Sequence, residues 1–178
     1  MAFLGYFGEW LTLLPSEPLS GDACSSALES WSVMTKLDDF TPLTVENCGQ
    51  FGADTRIVTG LDQVIASSTG LLEGQRLALV DVINSAAWIL VVILLEIEVR
   101  ALNRCGGASM PMSQVATFAK AVLYVTLVAA AIYWGFKGDF LDFWDAALWL
   151  FAFVFIELNV FEWQQELRDQ TSETPGIR

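Results

Sequence analysis

The chain has 178 residues, is 54% hydrophobic with a mean hydropathy of +0.48, and carries a net charge of −12 with no histidine. That acidity excludes a nucleic-acid partner, because nothing here neutralises phosphates, and it excludes polybasic attraction to anionic lipid. The missing histidine excludes His-ligated haem, His-based zinc, Ser-His-Asp catalysis and a histidine proton shuttle, so neither enzymatic activity nor a cofactor is expected.

At the start, Phe3, Leu4, Phe7, Trp10, Leu11 and Leu14 recur at helical spacing. A helix over 1–14 is too short to cross a bilayer, and without a basic n-region it is a poor signal peptide. It reads as an interfacial helix lying on the membrane, or as one packed on another subunit. Residues 15–76 are polar and rich in Asp and Glu, with Pro15, Pro18 and Pro42 interrupting them. Segment 1–76 is therefore expected to be acidic and extracytoplasmic, with few core-forming runs. Cys24 and Cys48 share it, and in an oxidising compartment they would form a disulfide worth ~3 kcal/mol in the chain-entropy picture. Two separate thiols are the alternative.

Beyond residue 76 the apolar content is concentrated in three blocks: 77–99, 115–136 and 140–163. Each has roughly the ~20 residues that a tilted helix needs to cross a ~30 Å hydrocarbon core. The expected fold class is thus an all-α integral membrane protein with three transmembrane helices, a membrane domain over 77–163 and a tail over 164–178. Arg100 and Arg104 follow the first block, Lys120 lies early in the second, and Arg168 and Arg178 follow the third. The positive-inside rule places the 100–115 loop and the tail in the cytoplasm, and the amino-terminal segment and the 135–139 turn outside. Gly135, Lys137 and Gly138 predict a tight turn, with Asp139 as an N-cap and Asp142 and Asp145 complementing the dipole of the third helix. Tyr133, Trp134, Phe136, Phe140, Phe143 and Trp144 form an interfacial aromatic belt around that turn, and Cys105 is expected as a free thiol.

The first and third blocks end alike. Aligned on one another, they match Asp81 with Asp142, Trp88 with Trp149, Glu96 with Glu157 and Val99 with Val160. A carboxylate costs about 2.5–3.5 kcal/mol at the centre of a spanning helix and less towards its ends, so Glu96 and Glu157 stand out. Lys120 falls at the same expected depth. One reading makes Glu96, Lys120 and Glu157 a charge network that fixes helix register, or has Lys120 snorkel to the headgroups.

A second reading makes these carboxylates the lining of a cation or proton pathway, with Asp81 and Asp142 at its outer entrance. Because three helices cannot enclose a pore, this requires an oligomer. A third is a non-catalytic accessory subunit of a larger membrane complex, supported by the aromatic surface of the last block. The expected function is the channel or transporter component, with the accessory subunit as its alternative. The expected partners are the lipid bilayer and either further copies or a larger membrane complex. The metal, if any, is left unknown: oxygen ligands alone suit only hard cations such as Mg²⁺ or Ca²⁺.

Overall fold

Residues 16–67 build a sheet, which the sequence reading did not foresee. A computed structural model describes residues 2–25, 30–104, 114–138 and 140–172, without the side chains of 2, 98–99, 101–104, 114, 157–158 and 160–172. The chain forms two units, Met1–Met112 and Ser113–Arg178, each taken by itself below. The first holds α1 (Ala2–Leu13), β1 (Ser16–Pro18), β2 (Ser32–Lys36), β3 (Asp39–Pro42), β4 (Thr55–Val58), β5 (Val64–Ser67) and α2 (Ser68–Arg104). The second holds α3 (Gln114–Lys137) and α4 (Phe140–Ser172).

The strands form one mixed sheet in the order β1-β4-β5-β2-β3, antiparallel throughout except for the β2–β5 pair. Successive side chains on a strand point to opposite faces, and here both faces are covered. Met34, Val58, Val64 and Ala66 pack on one face with Leu13 of α1 and with Leu71 and Ala78 of α2. Val33, Ile57 and Ile65 pack on the other with Trp31, Leu43, Cys48 and Phe51. The edge strands carry prolines at their ends, Pro18 on β1 and Pro42 on β3. A proline on an edge strand removes no ladder bond that the sheet needs.

The second face is capped by the segment after β3. Asn47 holds that segment closed: its Oδ1 accepts from Thr44 N at 2.7 Å and its Nδ2 donates to Pro42 O at 3.0 Å. A disulfide joins Cys24 to buried Cys48, with 5.0 Å between their Cα atoms. The cap is therefore fastened covalently to the β1–β2 connection.

No linker separates the sheet from α2. Ser67 ends β5 and caps the helix, its Oγ accepting from Gly70 N at 3.0 Å, as an N-cap serine does. Ser68 donates through both its N and its Oγ to Asp54 O, at 2.9 Å each. The first turns of α2 thus belong to the sheet's core before the helix continues as an apolar rod.

In the second unit, α3 and α4 form an antiparallel hairpin. Gly138 turns the chain at φ 81°, a left-handed conformation that glycine adopts without penalty. Leu127, Ala130, Ala131 and Trp134 are buried on α3, as is Ala146 on α4, with Phe143, Ala147, Leu150 and Phe153 half-buried along the same face of α4. Contact is close at the turn, where a Cβ on Gly135 would lie 3.3 Å from the Phe143 ring.

The all-α, three-span expectation is therefore corrected. A five-stranded mixed sheet occupies the amino-terminal segment. Among the described residues, two helices rather than three are long and apolar enough to cross a membrane, Ser68–Ile97 and Val115–Lys137. Block 140–163 is helical within α4, but Asp142 and Asp145 lie in its first turns, and its side chains from 160 onward are outside the described set. The proposed cytoplasmic side of the tail depended on that third crossing and is set aside with it. In the two remaining candidates, only 22% and 17% of the most apolar stretch is buried within the protein. A soluble core helix would be mostly covered.

Candidate functional site

The five singled-out charges divide between the two units: Asp81 and Glu96 on α2, Lys120 on α3, and Asp142 and Glu157 on α4. Glu96 is exposed and forms an ion pair with Arg100, one helical turn further on. Such i,i+4 pairs are worth about 0.3–0.5 kcal/mol. Its charge is therefore balanced within its own helix, by a residue that the sequence reading did not pair with it. The i,i+4 spacing was the signal for it.

Within the hairpin, Lys120 is half-buried near the start of α3 and Asp142 is exposed in the first turn of α4. The antiparallel turn puts these two at opposite ends, about 22 Å apart along the axis at 1.5 Å per residue. Lys120 and Glu157 lie equally far along the chain from the turn, so their backbones share a level, while the side chain of Glu157 is outside the described residues. The expected N-cap Asp139 and the thiol of Cys105 also fall outside them.

On α2, half-buried Asp81 is followed three residues later by Asn84, so the two share a helix face. The Oδ1 of Asn84 is buried and accepts no hydrogen bond from a described residue. Sequence reading missed Asn84, although a carboxamide in the middle of a candidate span was visible. Ser85, beside it, donates to Val82 O at 3.0 Å.

Away from the spans, Glu9 of α1 is half-buried, and burial, then the Asp38 carboxylate, hold its carboxyl above the usual range. Among the described residues no group of three or more His, Cys, Asp or Glu is arranged to hold a metal ion. No protein-family model, curated protein or solved structure matches the chain.

Proposed function

We propose that this is a membrane-anchored, non-catalytic subunit that holds a disulfide-capped sheet domain at a fixed position beside the bilayer. The observation that carries this reading is the direct fusion of β5 to α2, sealed by the Ser67 cap and the two Ser68 bonds to Asp54 O. A rigid junction transmits position from span to domain, which a scaffold needs and a tethered domain lacks. The disulfide suits an oxidising, extracytoplasmic side for the sheet, and Arg100 and Arg104 after the span suit a cytoplasmic side for the following loop. The partner is a larger membrane complex. Its test is gentle detergent extraction followed by native mass measurement. A stoichiometric complex with different chains is expected, and a bare monomer would overturn the reading.

The second reading keeps the oligomeric cation or proton pathway and is favoured by the buried Asn84 oxygen near Asp81, which accepts no hydrogen bond among the described residues. A polar group without a partner is costly in a lipid-embedded helix unless it meets water, an ion or another chain. Under it, purified protein forms a homo-oligomer, and Asp81→Asn with Asn84→Leu abolishes flux across reconstituted vesicles. Unaltered flux would remove it.

A further inference from the structure

The geometry points to α1 as a lipid-facing helix, locked by its carboxyl end against one face of the sheet and the first turns of α2, so that its outer stripe and that of α2 make one continuous bilayer-contacting surface. This rests on α2 being a membrane span, but concerns a helix too short to be one.

Four observations within the first unit carry it. First, α1 is fixed at its carboxyl end rather than loosely attached. The Gln75 amide donates to Leu13 O at 2.8 Å, and Leu13 and Trp10 pack with Leu71 and Ala78 of α2. The turn between β4 and β5 approaches so closely that a Cβ on Gly60 would lie 2.0 Å from Thr12 O.

Second, only part of α1's apolar side is used in that packing. Leu4, Phe7 and Leu11 are exposed, Leu4 by 71%, and their spacings of three and four residues align them on one face; Leu14, just past the helix, is exposed as well. Glu9 and Thr12 lie off that stripe, and no Lys or Arg occurs in the helix.

Third, α2 carries a matching stripe. Leu72, Leu79, Ile83, Leu90 and Ile97 are all exposed and, at spacings of seven, four, seven and seven, lie along one side of the helix. Fourth, the stripes meet at one level. Leu13 and Leu71 share a core cluster, so their exposed neighbours Leu14 and Leu72 flank the same junction.

An exposed apolar surface of this extent marks a contact site, and its continuity with a span assigns the acyl-chain boundary of a bilayer as the occupant. The aromatic side chains Phe3 and Tyr6 suit the headgroup region on the same helix. The sheet's other face, with its disulfide cap, is left to water.

The test uses the full chain in phosphatidylcholine vesicles, with Cys105→Ser as background and nitroxide labels placed singly through Leu4→Cys, Leu11→Cys, Leu90→Cys and Thr41→Cys. Collision with oxygen is compared with collision with a water-soluble nickel chelate. The expected result is a several-fold preference for oxygen at Leu4, Leu11 and Leu90, with the preference reversed at Thr41 on the exposed edge strand. Nickel preference at Leu4 and Leu11 with oxygen preference at Leu90 would overturn the inference and leave the span intact. Nickel preference at Leu90 as well would remove the membrane reading itself. Dipolar broadening between Leu4 labels would show a second copy on the stripe and would also overturn it.

Discussion

The sheet and the long helices use the same apolar residue types in opposite senses. Val58, Ile65 and Ala66 are 0% exposed, closed in between α1, α2 and the capping segment. Along α2 and α3, Leu90, Val92, Val125 and Ile132 are exposed, although each is as apolar as the sheet's core. Apolar area removed from water stabilises by roughly 25 cal/mol per Å², so the sheet is self-sufficient in water. The helices leave that area uncovered, which is favourable only where the surroundings are themselves apolar. On the membrane reading proposed above, one chain is built for two solvents, and the boundary between them falls within α2.

Core truncation gives the sharpest contrast. Ile65→Ala should destabilise the sheet by about 2–5 kcal/mol, whereas Leu90→Ala, at a half-exposed position on α2, should cost well under about 1 kcal/mol in detergent unfolding. Equal losses would mean that the α2 surface is covered like a core. Gly60→Ala comes next. Its new methyl would meet backbone rather than a movable side chain, so a loss of about 3 kcal/mol is expected at the upper end of overpacking costs. Gly49→Ala, with nothing within 4 Å of the added carbon, should be nearly silent in the same assay.

The double change Cys24→Ser with Cys48→Ser should cost about 3 kcal/mol. Chemical denaturation should show the loss in the sheet transition, with the helical signal of α3 and α4 retained. A matching loss in the hairpin would tie the two regions more closely than their separate cores imply.

A smaller effect is expected at Glu9. Its folded carboxyl takes up a proton more readily than the unfolded one, because burial and then Asp38 oppose its charge. Its contribution is therefore fully present below the unfolded value and is lost as pH rises through the raised folded value. Glu9→Gln should raise stability at neutral pH and flatten that pH dependence, while an unchanged slope would show that Glu9 is not its source. Least of all, Glu96→Gln should change stability by about 0.5 kcal/mol or less, because its pair with Arg100 is exposed.

The helices were legible because their signals are local: helical spacing in 1–14 and a long unbroken apolar run in 115–136. Helix 1–14 appears as Ala2–Leu13, block 115–136 as Gln114–Lys137, and the Cys24–Cys48 bond is present. The sheet was not legible, and β2 and β5 show why. Val33 and Met34 are buried on opposite faces, as are Val64, Ile65 and Ala66 in turn. A strand covered on both sides has no apolar–polar alternation to detect. Its partners are also distant in sequence, Ser16 facing Val58 and Ser32 facing Val64. Of the prolines that seemed to break the segment, Pro18 and Pro42 sit on edge strands, where they are tolerated, and Pro15 precedes β1. Of the candidate site, the acidic positions could be read from the sequence, and the i,i+4 spacing already pointed to Arg100 as the partner of Glu96, but the burial of the Asn84 oxygen needed coordinates.

The claim that the chain is built for two solvents is tested most directly by a hydrophobic diazirine dissolved in the bilayer and photolysed with the membrane-embedded protein, followed by peptide mapping. The account predicts adducts on 79–97 and 115–137, with none across strands β2 to β5. Labelling spread evenly over both regions, or absent from Ile83, Leu90 and Val125, would contradict it.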